Sequence, residues 1–169
     1  PPRSSPRLLT LELMDCGLKA SDAAAILDRF GGSLRSFSLQ GDCLRGLRTP
    51  ALPGLQMLRL LDCSLLRADA AAAMASCPNA EVLAFCGNSL GEVVEASDDD
   101  DSDGGEGPWP RMSRLREADF RACALDSEDE AELLGCFPEG VRFFTRTEPT
   151  GPQGRGGHVV FEDSSDEGC

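Results

Sequence analysis

The residues able to carry catalytic or metal chemistry are few in this chain and form no working arrangement. It has eight cysteines and a single histidine, His158. A cysteine or serine nucleophile needs a neighbouring base, and a structural zinc site needs four nitrogen or sulfur ligands, often in closely spaced cysteine pairs. The sequence contains no C-x-x-C pair and no glycine-rich phosphate loop. We therefore expect no enzymatic activity, no metal site and no cofactor.

A run of acidic residues interrupts the second half of the chain. Between Glu95 and Glu106 there are seven acids and no basic residue. The acids that could dock a basic partner protein are Asp98, Asp99, Asp100, Asp101 and Asp103. So much like charge is also typical of a solvated, disordered loop, and both interpretations stay open. Phosphorylation of Ser97 or Ser102 would strengthen docking, whereas calcium binding is disfavoured because alternating oxygen ligands around a turn glycine are lacking.

The C-terminal tail carries a second short motif. Val159, Val160 and Phe161 form a β-prone apolar run, and acids and serines follow it. This pattern resembles the interaction motif for SUMO, the small ubiquitin-like modifier, in which a peptide adds a strand to the edge of a sheet. A plain flexible tail explains the same residues equally.

A repeated pattern must position these segments. The pattern L-x-x-L-x-L-x-x-C-x-L starts at positions 8 and 55, looser copies start at 34, 80 and 115, and a degenerate sixth copy begins with Val141 and Phe144. Within each copy the leucines alternate as on a strand that buries one face. Cys16, Cys63 and Cys123 hold the ninth position, where we expect a small thiol to point inward at the turn after the strand.

The pattern and its spacing resemble the leucine-rich repeat superfamily. The segment Cys77-Pro78-Asn79-Ala80 is similar to the close of a unit in the cysteine-containing subclass, which F-box substrate receptors contain. The resemblance implies an α/β leucine-rich repeat solenoid of about five to six repeats. It also implies a curved parallel sheet on the concave side, helices on the convex side, and a role in protein recognition.

The domain assignment follows from where the pattern holds. Residues 1–147 are assigned to the solenoid, with an acidic and disordered insertion at 92–113, and residues 148–169 to an acidic, flexible tail. We expect Trp109 to fold back over the edge of the repeats. A helix is expected after the first copy with Ser21 as its N-cap, but none after the second copy, because Pro50 and Pro53 interrupt that segment.

Strand positions between the buried leucines define a candidate binding face. Its central column is expected to contain Glu12, Ser38, Arg59, Ala84 and Asp119. The predicted partner-binding residues are Glu12, Met14, Met57, Arg59, Leu61, Val82, Glu117, Asp119 and Arg121. An apolar centre with charged ends is how binding patches are usually composed. Ordinary solvated strand positions are the alternative explanation.

Composition narrows the class of partner. The net charge is −13, with nine basic against eight acidic residues in 1–90 but seven against twenty-one in 91–169. Nucleic acid is therefore excluded as a partner, and the lack of an apolar run of roughly 18 residues argues against a membrane span. Cysteines placed in the repeat pattern favour reduced thiols and an intracellular location, in the cytoplasm or the nucleus.

The sequence thus predicts a non-enzymatic protein–protein interaction module that binds through its concave face. We expect it to belong to a larger intracellular adaptor or substrate receptor. The alternative is an acidic, chaperone-like binder of basic proteins of the histone type, acting through the insertion and the tail.

Overall fold

The computed structural model describes residues 7–91 and 108–145. The acidic docking loop at 98–103 and the tail motif at 159–161 lie outside the described residues.

The described chain is an α/β protein built on one parallel sheet. Its strands are β1 Thr10–Met14, β2 Ser36–Gln40, β3 Met57–Leu61, β4 Val82–Ala84, β5 Glu117–Asp119 and β6 Arg142–Phe144. Its helices are α1 Ala20–Phe30, α2 Arg67–Ser76 and α3 Ser127–Cys136. The six strands pair in chain order, and each strand with the described residues that follow it is called a unit below. As expected, β2 leads to β3 without a helix.

The core lies between the sheet and the helices. The pattern residues of the second, third and fourth copies are all buried, and on the strands they alternate with more exposed side chains. They share one cluster with helix residues such as Ala23, Leu27, Met74 and Leu133. The helices therefore cover one face of the sheet. The opposite face, which carries the intervening strand residues, is called the open face below.

The first unit is less buried than the others. Leu11 and Leu13 are only partly buried, and Cys16 is exposed. The Cys63 and Cys123 thiols each donate to a carbonyl of the preceding unit, whereas the Cys16 thiol donates only to Met14 of its own strand. No described strand lies on the outer side of β1. The expectation that Cys16 points inward is wrong for this reason.

The sixth copy is shifted by one residue from the expected register. Phe143, not Phe144, is buried, and its ring centroid lies 5.8 Å from those of both Phe120 and Phe137. Phe144 pairs with Asp119 and so belongs to the open face. Since side chains alternate along a strand, a shift of one residue exchanges the two faces. Packing of Phe143 against the rings of the neighbouring unit decides the register.

Trp109 folds back onto the core as expected. Its side chain is 3% exposed and meets Phe120 edge-on, with 6.3 Å between the ring centroids. The Arg67 guanidinium lies 5.1 Å from the tryptophan centroid and forms ion pairs with Asp129 and Glu132 on α3. Trp109 and Met112, which lie in the segment that the sequence analysis includes in a disordered insertion, are therefore buried, and this group links the start of α2 to α3.

An aspartate in the first turn stabilises the start of each helix. The backbone N–H groups of Lys19, Leu66 and Asp126 donate to the carboxylates of the residues three positions later, Asp22, Asp69 and Asp129. These contacts satisfy donors that a helix start leaves without partners. The helix α1 begins at Ala20, so Ser21 lies inside its first turn and is not its N-cap.

A buried polar side chain at the turn links successive units. Asn88 Oδ1 accepts hydrogen bonds from the Cys63 and Leu65 N–H groups, at 3.0 Å each. Its Nδ2 donates to the Leu60 and Phe85 carbonyls, at 2.7 Å each. The amide is therefore satisfied on both ends, as a buried polar group must be.

Asp42 holds the same position in the second unit, but one of its carboxylate oxygens lacks a hydrogen bond. Its Oδ1 accepts from the Leu18 N–H at 2.8 Å, but its buried Oδ2 has no hydrogen-bond partner. By register, the carbonyls of Leu13 and Leu39 correspond to those that Asn88 Nδ2 reaches. A carboxylate has no hydrogen to donate to a carbonyl, and burying its charge is costly.

We predict that Asp42→Asn raises the free energy of unfolding by about 1 kcal/mol, because the new amide gains donors and loses the buried charge. Urea denaturation measures the change. The reciprocal variant, Asn88→Asp, should lower the free energy of unfolding by about 1–3 kcal/mol. An unchanged or lower stability of Asp42→Asn would contradict this account of the turn.

Candidate functional site

The strand register brings the predicted site residues onto one face in three columns. The first column contains Thr10, Ser36, Met57, Val82, Glu117 and Arg142. The central column contains Glu12, Ser38, Arg59, Ala84, Asp119 and Phe144. Met14, Gln40 and Leu61 are paired in the third, and Cys86 and Arg121 lie two residues beyond the ends of β4 and β5. Neighbouring members of a column are about 4.8 Å apart across the strands.

The centre of the open face combines apolar side chains with one arginine. Met57, Arg59 and Leu61 of β3 are each half-buried, and so is Val82 of β4. In the central column Arg59 lies between two small residues. Ser38 is 9% exposed and Ala84 is 8% exposed. Short side chains on the neighbouring strands therefore flank the long side chains of β3. We call Met57, Arg59, Leu61 and Val82 the central patch.

The charged residues toward β6 are paired with each other. The Arg121 guanidinium donates through Nε and Nη2 to both oxygens of Asp119, at 2.8 to 3.2 Å. Arg142 pairs with Glu117 across the β5–β6 boundary. Burial acts to raise the pKa of Asp119, but hydrogen bonds from Arg121 and Cys86 outweigh it and leave that pKa below the usual value. These contacts therefore keep Asp119 ionised, which does not suit a group that must take up and release a proton.

Arg59 differs from these arginines. Among the described residues, no carboxylate lies within ion-pair distance of its guanidinium. Its position is central, because β3 has two strands on one side and three on the other.

The cysteine on this face is not an activated nucleophile. Burial, together with a hydrogen bond to the Asp119 carboxylate and its negative charge, raises the pKa of Cys86 to about 12. A thiol with so high a pKa is almost wholly protonated at neutral pH, whereas nucleophilic cysteines have lowered values.

The predicted site residues thus fall into three groups on the same face. The central patch is together at β3 and β4, while Glu117, Asp119 and Arg121 are engaged in ion pairs around β5. Glu12 and Met14 lie on the edge strand β1, where Met14 is 64% exposed. Sequence reasoning missed Arg142 and Phe144, which the shifted register of β6 adds to the face. From the sequence alone, either Phe143 or Phe144 could face the core. Only the contacts of Phe143 with Phe120 and Phe137 decide between the two registers.

Several other kinds of site find no support in the described part of the chain. No group of three or more histidine, cysteine, aspartate or glutamate side chains there could hold a metal ion. The seven cysteines of residues 7–91 and 108–145 are free thiols. None of the helices described has the length and apolar character that crossing a bilayer requires.

No protein-family model, curated protein or solved structure matches this chain.

The cysteines should differ sharply in their reaction with iodoacetamide. A thiol with a pKa of about 12 is almost wholly protonated at pH 8 and is partly buried, so Cys86 should be alkylated far more slowly than the exposed Cys16 and Cys43. Peptide mapping by mass spectrometry at timed intervals measures the rates. In urea all sites should react alike. Equal rates at Cys86 and Cys43 in the folded protein would show that this environment is misjudged.

Proposed function

We propose that the chain is a leucine-rich repeat solenoid that acts as a non-enzymatic protein–protein interaction module. The parallel strands in chain order support the solenoid, and so do the recurring pattern and the buried Asn88, Cys63 and Cys123 at one position of the turn. In such a solenoid the open face is the concave surface, and binding there uses side chains from several units at once. We further propose that the module belongs to a larger intracellular adaptor or substrate receptor.

The observation that carries the proposal is the central patch. Its apolar members, Met57, Leu61 and Val82, remain half-exposed in the middle of the open face instead of joining the core. Covering apolar surface contributes roughly 25 cal/mol per Å² removed from water. A partner that buried these three side chains completely would gain binding free energy from each of them. It would also gain from contact with Arg59, since arginine is enriched among the residues that dominate binding energy. Charged residues surround this patch at both ends of the sheet, as a polar rim does.

We predict that the triple variant Met57→Ala, Arg59→Ala, Leu61→Ala loses at least about 10-fold in affinity for the partner, because the few residues whose truncation costs more than about 1 kcal/mol cluster at the centre of an interface. The measurement is quantitative capture of proteins from a cell extract on the immobilised full chain. A matched control is Ser21→Ala, Asp28→Ala, Arg29→Ala, which changes three exposed residues of α1 on the other side of the sheet. Circular dichroism and urea denaturation establish that both variants fold.

The same experiment separates this proposal from an acidic chaperone-like binder of basic proteins. That second function is favoured by the distribution of charge, since residues 91–169 hold twenty-one acids against seven bases. Deletion of residues 95–106 should spare capture through the open face. Capture that survives the triple variant, disappears with the deletion and falls steeply between about 50 and 300 mM salt would favour the acidic binder instead.

A further inference from the structure

The environment of Arg59 on the open face is neutral. Its cross-strand neighbours in the central column are Ser38 and Ala84. The open-face positions adjacent to it on β2, β3 and β4, and just beyond the end of β4, are uncharged: Ser36, Ser38, Gln40, Met57, Leu61, Val82, Ala84 and Cys86. An arginine here is therefore not part of a balanced set of surface charges.

The nearest acids of the central column form no ion pair with Arg59. Asp119 and Glu12 each lie two strands from Arg59, a separation of about 10 Å at the usual strand spacing. Asp119 is also occupied by Arg121 through two hydrogen-bonding nitrogens.

Three arginines at or beside β5 and β6 form ion pairs. Arg121 holds Asp119, Arg142 holds Glu117, and Arg116 holds Glu81 at 3.4 Å. Each of these guanidinium groups has its carboxylate within the chain. Within residues 7–91 and 108–145 no carboxylate pairs with Arg59, which lies in the middle of partly exposed apolar side chains.

We propose that the partner places a carboxylate side chain on Arg59 and covers Met57, Leu61 and Val82 with apolar side chains on either side of that acid. This inference rests on the proposed function and specifies the partner at the same surface as an acidic and apolar peptide segment. A planar guanidinium binds a carboxylate through two parallel hydrogen bonds, which are stronger when apolar groups exclude water around them. A basic segment would place like charge against Arg59 and is disfavoured at this position.

Selection from a displayed library of random peptides tests the inference directly. Peptides of about 12 residues reach about 40 Å when extended and so exceed the sheet, whose five strand spacings span about 24 Å. The immobilised full chain should enrich peptides that contain Asp or Glu with apolar residues close on both sides. Binding of synthetic copies is then measured by fluorescence anisotropy.

The variants should respond in a defined order. Arg59→Gln should weaken binding of the selected peptides by about 10- to 100-fold, because a charge-assisted pair is replaced by neutral hydrogen bonding. Arg59→Lys should recover only part of that loss, since lysine lacks the planar fork. Arg29→Gln, an equal change of charge on the exposed surface of α1, should have little effect. Replacing the peptide's acid with its amide should match the loss seen with Arg59→Gln, and the two changes together should cost little more than either alone.

The remaining outcomes distinguish a failure of this inference from a failure of the proposed function. Selected peptides that need Met57 and Leu61 but carry no acid, or that bind Arg59→Gln as well as the original chain, would overturn the acidic partner and leave the open-face site standing. Peptides insensitive to every change in the central patch would overturn both, and so would a selection that enriches nothing above background.

Discussion

The pairing of six parallel strands without a gap is the constraint on which the rest of the structure depends. Backbone donors and acceptors of adjacent strands satisfy one another, so the register of one strand fixes the next. The turns repeat with the strands. Asp15, Gly41, Asp62, Gly87 and Ala122 occupy the same position after their strands, and all have positive φ. Three of them are not glycine, and the chain accepts a conformation costly for those residues because each turn stacks on its neighbour.

That stacking explains how tightly the turn is specified. A Cβ added at Gly41 would lie 1.9 Å from Asp15 Oδ1, and one at Gly87 would lie 1.9 Å from Asp62 Oδ1. The side chains that follow then tie the units together, most completely at Asn88. Burial raises the pKa of Cys63 and of Cys123 to about 11, so both thiols stay neutral donors to backbone carbonyls. The unit interface is therefore polar at the turn and apolar along the strands.

The same strand register determines how residues are arranged on the open face. Every second strand residue is directed away from the helices, and the columns align because the strands are neither offset nor reversed. Met57, Leu61 and Val82 cluster at β3 and β4, while carboxylates and guanidinium groups pair with each other near β6. The contrast between paired arginines and Arg59 is visible only when the columns are assembled.

Much of this arrangement follows from the sequence, because a period of two between buried leucines gives the face of each intervening residue. Met57, Arg59 and Leu61 could be placed for that reason. The errors arise where burial depends on a neighbour. Cys16 matches Cys63 by pattern but has no described unit outside it.

Distant contacts were equally hidden from the pattern. Phe143 and Phe144 compete for one core position, which only the rings of the preceding unit decide. The group of Arg67, Trp109 and Asp129 joins residues far apart in the chain, and no local spacing indicates it. Pairing of Asp119 with Arg121 could have been inferred from their separation of two residues on one strand face, but the pattern treated both as available.

The central claim is that the register places Met57 on the open face, where a partner covers it. The chain has four methionines, whose ε-methyl groups can be labelled with ¹³C and observed separately by NMR. With a soluble paramagnetic agent, the account predicts strong broadening for the exposed Met14 and intermediate broadening for Met57, while the buried Met74 and Met112 are protected. Addition of a bound peptide should then protect Met57 and shift its signal. A Met57 methyl as protected as Met74 in the free protein, or one that the peptide leaves unchanged, would contradict the account.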